Sequence, residues 1–206
     1  MWREFARSLV KMNPLGNYVG IVEAVQSITT ISVQDYLDGE RKSEIRHEYI
    51  NGVVYAMAGT SSRHNLMCLN LAMALRTHLR GKPCQVFMES IKLRLREAES
   101  DIFYYPDLMV TCDPRDTDEY FKRYPKVLIE VLSPDTTRID RREKFFSYTN
   151  LESLEEYILV AQSSTEVTVF RRANQWRPEL VNESQQTLRI PSLDFSLDLP
   201  VVYEGV

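Results

Sequence analysis

The chain has 206 residues, of which 44% are hydrophobic and 26% charged, the balance of a globular domain long enough to bury a full core. Its net charge of −4 argues against a protein that grips nucleic acid by bulk electrostatics, so any such contact has to rest on a local patch. No run approaches the length of a membrane span and the N-terminus lacks a secretory-signal pattern, so the expectation is a cytoplasmic protein with no membrane partner.

Residues 1–30 read as a loosely attached N-terminal extension. Trp2, Phe5 and Val10 could form an amphipathic turn, but Pro14 and Gly16 interrupt it, and Met12 offers a second start. Ser32 then caps a short helix over 33–37, with Asp38-Gly39 as its stop. Runs 45–50 and 53–58 meet across Asn51-Gly52, the strongest two-residue hairpin signal, and period 2 puts Arg46, Glu48 and Ile50 on one face. Ser61 or Ser62 caps the next helix, which reaches about residue 79 and stops at Gly81. It is apolar nearly all round and is expected to be buried against a sheet. His64, near its start, could be an ordinary first-turn residue.

Residues 85–96 read as one long strand. In its second half Ile91, Leu93 and Leu95 alternate with Lys92, Arg94 and Arg96, which predicts one buried and one basic, solvated face. A polar turn leads to a second long strand over 102–112. The loop 113–124 carries both signs of charge. The run 126–133 has Val127, Ile129 and Val131 on one face and Leu128, Glu130 and Leu132 on the other, as in a central strand. Ser133-Pro134 ends it. In the helix over 139–149, Phe145, Phe146 and Tyr148 are expected to pack inward while Arg141, Arg142 and Glu143 face water. Strands over 157–161, 166–171, 176–181 and 187–190 finish the sheet. Helix and sheet mix around one core, an α/β or α+β arrangement over 31–206.

Cys68, Cys84 and Cys112 are odd in number, widely spaced and without a C-x-x-C pair. That argues against a disulfide framework or a structural zinc site and leaves three mostly buried free thiols as the expectation.

The chemistry concentrates between residues 105 and 144. Glu130 sits between Leu128 and Leu132, where an unpaired carboxylate is costly. Asp107 follows Pro106 inside a second apolar run, and a proline there marks a strand edge or a distortion. If the two strands are neighbours, both carboxylates approach one point, and two like charges held close call for a cation. Oxygen ligands suit Mg²⁺ or Mn²⁺, and the three scattered histidines offer no zinc spacing. Pairing of both acids with nearby Arg or Lys is the alternative. Lys144, about one turn past Asp140, could aim its ammonium at the carboxylates and offset charge on a phosphoryl oxygen, or pair with Asp140 at the surface. Arg138, Arg141 and Arg142, with the stripe Lys92, Arg94 and Arg96, could contact phosphates irrespective of sequence or simply be solvated. No base-reading motif is present.

Taken together, Pro106-Asp107, the run Glu130-Val131-Leu132-Ser133-Pro134, then Asp140 and Lys144, resemble the Uma-type family of restriction endonucleases, within the PD-(D/E)XK nuclease superfamily. Glu48-Tyr49-Ile50-Asn51-Gly52, Arg63-His64-Asn65 and Glu156-Tyr157 are similar to that family as well. The resemblance covers residues 31–206. It implies a restriction-endonuclease-like core, a mixed central β-sheet flanked by helices. It implies Asp107 and Glu130 as ligands of Mg²⁺ or Mn²⁺, with the backbone carbonyl of Val131 as a third. The superfamily places a lysine two residues after the glutamate; here that residue is Leu132, and Lys144 resembles its relocated counterpart. Glu48 resembles the extra acid that some members bring from outside the core strands, and His64 a residue of the substrate rim. The activity implied is metal-dependent endonucleolytic cleavage of DNA. A homodimer is expected, because cutting both strands of a duplex usually takes two sites. Leu132 and the acidic charge leave a second reading, an inactive nuclease-like module that binds nucleic acid or a partner protein.

Overall fold

The computed structural model describes residues 30–97, 100–133, 139–182 and 186–206. In chain order the elements are α1 (Val33–Glu40), β1 (His47–Ile50), β2 (Val53–Ala56), α2 (Ser62–His78), β3 (Gln85–Met88), β4 (Lys92–Glu97), β5 (Ser100–Tyr104), β6 (Leu108–Thr111), β7 (Phe121–Lys122) and β8 (Pro125–Leu132). A π-helix (Ile139–Lys144) then runs into α3 (Phe145–Thr149), followed by β9 (Glu156–Ala161), β10 (Glu166–Arg171), β11 (Pro178–Asn182), β12 (Thr187–Ile190), β13 (Phe195–Asp198) and α4 (Leu199–Val202).

A six-stranded mixed sheet, β11-β10-β9-β8-β6-β3, forms the centre. A five-stranded sheet, β2-β1-β5-β4-β7, and the hairpin β12-β13 accompany it. The two faces of β8 divide as the alternation predicts. Val127, Ile129 and Val131 enter a core shared with Met67, Leu71 and Leu75 of α2. Leu128 and Leu132 enter a second core with Leu93, Leu95 and Tyr104 of the other sheet and Tyr148 of α3. The central sheet is thus covered by α2 on one face and by the second sheet and α3 on the other. β8 and β9 run parallel, joined through the π-helix and α3, while β6 pairs antiparallel with β8 on its other side.

Local chemistry sets the elements that carry the site. The Asn51 and Gly52 backbones both have positive φ, 51° and 90°, as a tight type I′ hairpin turn requires. Ser61 caps α2, its hydroxyl accepting from the His64 amide at 3.1 Å, which fixes where His64 stands in the first turn. The helix is less enclosed than its composition suggests: Leu66, Leu69 and Met73 are exposed, so one face carries the burial. Phe146 is likewise 66% exposed, so Phe145 and Tyr148 carry the inward packing of α3 without it.

The two long strands predicted over 85–96 and 102–112 do pair as a hairpin, but each arm is broken near its middle. In the outer half Leu93 faces Tyr104; in the inner half Met88 faces Leu108. Residues 89–92 on one arm are matched by 105–107 on the other, a one-residue slip that passes the hairpin from the five-stranded sheet to the six-stranded one. Pro106 offers no amide to a ladder, and Glu89 takes a positive φ of 35°, so both breaks have a local cause.

The bend also corrects the cysteine expectation. β3 pairs antiparallel with β6, Gln85 facing Thr111, so the next residues outward are Cys84 and Cys112. Their Cα atoms are 4.1 Å apart and the two form a disulfide; only Cys68 is a free thiol, and it is buried. An odd count excludes a complete framework but not a single bridge between facing strand ends. The basic stripe is corrected too. Lys92 is buried with its ammonium 5.3 Å from the Tyr105 ring centroid, and Arg94 is bound to Asp101 at 2.7 Å, so of the three only Arg96 is exposed.

Candidate active site

Three carboxylates come together where the bent hairpin meets β8. Met88 faces Leu108 and Leu108 faces Ile129. One step further along these antiparallel registers are Glu89, Asp107 and Glu130. Two bonds hold the row: the Glu89 amide donates to the Asp107 carbonyl at 3.1 Å, and the Asp107 amide to Glu130 Oε2 at 3.3 Å. The Val131 amide donates to Asp107 Oδ2 at 2.7 Å. The predicted pair, Asp107 and Glu130, is therefore brought together by neighbouring strands.

Glu130 is 2% exposed and is held by a cation and neutral donors from elsewhere in the chain. Lys144, at the end of the π-helix, donates from Nζ to Glu130 Oε1 at 3.1 Å. The same ammonium lies 3.5 Å from Glu48 Oε1 of β1 and 5.5 Å from the Tyr104 ring centroid. Tyr148, four residues after Lys144, donates its hydroxyl to Glu130 Oε1 at 3.0 Å. Leu132, on the same face of β8 as Glu130, is buried in apolar contacts, and the ammonium on that face comes from Lys144. A helix of wider turns, as often found at functional sites, delivers it.

His64 is 6% exposed, so it lies beside Asp107 and not on an open rim, and its Nε2 is 3.1 Å from Asp107 Oδ2. An ionised carboxylate only accepts, so Nε2 carries the proton of this bond. Burial works against the imidazolium, but the hydrogen bond and charge of Asp107, with the charge of Glu89 and the Val131 backbone, win and lift its pKa above the ordinary value. The other ring nitrogen, Nδ1, is 3.5 Å from Cys68 Sγ. Arg138 and the side chains of Arg141 and Asp140 lie outside the described residues; Arg142 and Glu143 of the same π-helix are exposed.

Glu89 and Tyr148 are the site neighbours that sequence reasoning missed. Glu89 had a signal: the apolar positions Val86 and Met88 are out of phase with Ile91, Leu93 and Leu95, which marks a break between them. Tyr148 read as a core aromatic, and it is one; only the fold shows where its hydroxyl ends.

The fold is shared with a solved structure. A crystal structure described as "a putative nuclease belonging to DUF820", from Anabaena variabilis ATCC 29413, matches with a TM-score of 0.69 at 18% identity, over 84% of this chain and 97% of that one. This is a likeness of fold, and it bears out the mixed α+β architecture expected from the sequence. The chain belongs to the Uma2 family, described as "Putative restriction endonuclease", whose model matches residues 33–201. Two uncharacterized proteins of Synechocystis sp. are relatives, one 32% identical over 178 residues, covering 85% of this chain and 93% of its own. The other is 29% identical over 168 residues, covering 79% and 94%.

Proposed function

We propose that the chain is a metal-dependent endonuclease that hydrolyses phosphodiester bonds in DNA. The observation that carries this reading is the opposition of Asp107 and Glu130 across adjacent strands, with Lys144 Nζ 3.1 Å from Glu130. The donor set fits a hard cation: carboxylate oxygens of Asp107 and Glu130 with the Val131 carbonyl, which suits Mg²⁺ or Mn²⁺. When bound, such an ion polarises the phosphoryl group and makes a water nucleophilic near neutral pH.

The chain's own residues supply orientation and charge. Tyr148 and Lys144 both bind Glu130 Oε1 and fix that carboxylate's rotamer. The Val131 amide and His64 both bind Asp107 Oδ2, which leaves Oδ1 as the oxygen for the cation. Lys144, held between Glu130 and Glu48, would hold the attacking water and stabilise the negative charge that builds on the phosphoryl oxygens. Glu48 keeps that ammonium at the site from the hairpin side. Arg138 and Arg141, flanking the start of the π-helix, would contact the DNA backbone. Two copies of the chain would supply one cut for each strand.

Incubation with supercoiled plasmid tests the reading. Nicked or linear product in Mn²⁺ or Mg²⁺, and none in chelator, is expected. Absence of cleavage together with absence of calorimetric Mn²⁺ binding would overturn it; Mn²⁺ binding that vanishes in Glu130→Ala would instead point to an untried substrate.

A further inference from the structure

A second set of potential ligands lies behind the acidic row, on the α2 side. His64 and Cys68 are four residues apart on α2 and so project from one helix face. Glu89 comes from the break between β3 and β4. A ring nitrogen of His64, the Cys68 sulfur and a Glu89 carboxylate oxygen all lie within 4.8 Å of one another.

We propose that His64, Cys68 and Glu89 form a site for a zinc-class divalent cation, distinct from the oxygen-ligand site of Asp107 and Glu130. One thiolate, one imidazole and one carboxylate, with a fourth position open, form a donor set that such ions prefer and that Mg²⁺ does not. Four observations point to a ligand here. His64 Nδ1 and Cys68 Sγ are 3.5 Å apart, a separation two ligands of one tetrahedral ion can adopt. The Nε2 proton is committed to Asp107 Oδ2, so Nδ1 is the nitrogen left for a metal; a carboxylate on the far side of a ligating histidine is the usual supporting arrangement. Glu89 Oε1 is a buried carboxylate oxygen with no hydrogen-bond partner among the described residues, while the Arg46 guanidinium stands 3.9 Å from the other oxygen, Oε2. Glu89 is also held at a positive φ of 35°, an unfavourable backbone for a glutamate and a sign of a constrained functional position.

Charge favours the same conclusion: the carboxylates of Asp107, Glu89 and Glu130 all stand close enough to act on Cys68. Binding of the ion exchanges the thiol proton, and any proton on Nδ1, for the metal, with both protons released to solvent. The ion would enter past Glu89, whose side chain is 22% exposed and is the most open of the three. Because His64 links the ion to Asp107, occupancy would fix the imidazole against the nuclease carboxylate.

The test is a titration of Co²⁺ into the full chain with its disulfide intact, in millimolar Mg²⁺ to occupy the oxygen site, read by the thiolate-to-cobalt charge-transfer absorption. The expected result is saturation at one equivalent, bleaching by Zn²⁺, and loss of the band in Cys68→Ser with an unchanged circular dichroism spectrum. Glu89→Gln and Asp107→Ala, which remove a ligand and its supporting partner, are expected to weaken Co²⁺ by roughly 10–100-fold each. A Cys84→Ser/Cys112→Ser double variant should keep the band. No band in the wild-type chain, or a band that survives Cys68→Ser, would overturn the proposal. If Cys68→Ser does not fold, unchanged Co²⁺ affinity in Glu89→Gln overturns it instead. No DNA is present, so the outcome is independent of the nuclease reading.

Discussion

Lys144 makes the site understandable one residue at a time. Its ammonium answers two carboxylates, Glu130 and Glu48, in a region where Glu130 is almost without solvent. Removing one partner of a buried pair leaves a charge that water cannot reach. Lys144→Ala is therefore expected to lose cleavage and to lower unfolding free energy by roughly 3–5 kcal/mol in chelator, with part of that restored by Mg²⁺. Urea unfolding with and without the ion measures both; equal stability to the wild type in chelator would contradict the pairing. Tyr148→Phe deletes only a hydroxyl that donates to the same oxygen at 3.0 Å. A loss of about 1.5–3 kcal/mol is expected, the range for a hydrogen bond to a charged group, with Mn²⁺ affinity also reduced because Glu130 is less firmly oriented. Calorimetry on the variant checks the second part.

The bent hairpin β3–β6 is the element on which the site depends. Its outer half belongs to one sheet and its inner half to another, and the acids Glu89 and Asp107 stand at the transition. Much of this was legible in the chain. The split faces of β8, the Asn51-Gly52 turn, the Ser61 cap and the oddness of Asp107 and Glu130 in apolar runs follow from periodicity, turn chemistry and desolvation. The change of sheet within one hairpin does not, because alternation reports which residues share a face and not which sheet receives it. The phase break near Glu89 marks an interruption but not that Glu89 stands beside Asp107, and nothing local tells that Cys84 and Cys112 face each other. Two measurements bear on these elements. Thiol titration under non-reducing conditions is expected to label no cysteine in the native chain and Cys68 alone after denaturation, and all three after reduction; labelling of Cys84 before reduction would contradict the bridge. At the β1–β2 turn a Cβ on Gly52 would lie 2.7 Å from that of Thr30, and the residue has φ of 90°. Gly52→Ala is expected to cost at least the roughly 1–2 kcal/mol of a left-handed alanine, read as a lower urea midpoint.

For the molecule as a whole, charge and fold point to local action. The net charge of −4 gives no general attraction to DNA, and the cluster of Glu48, Glu89, Asp107 and Glu130, only partly offset by Lys144 and Arg46, would repel a phosphate in the absence of a metal ion. A divalent ion in the row would reverse that local field, so metal should govern both DNA binding and chemistry. None of the described helices is long and apolar enough to cross a membrane. The nuclease reading meets its most direct test in supercoiled plasmid incubated with Mn²⁺ and the purified chain, wild type beside Asp107→Ala, the fold of the variant checked by circular dichroism. Nicking or linearisation by the wild type that disappears in the folded variant is the expected result. Cleavage that persists in Asp107→Ala would contradict it and place the chemistry elsewhere in the chain.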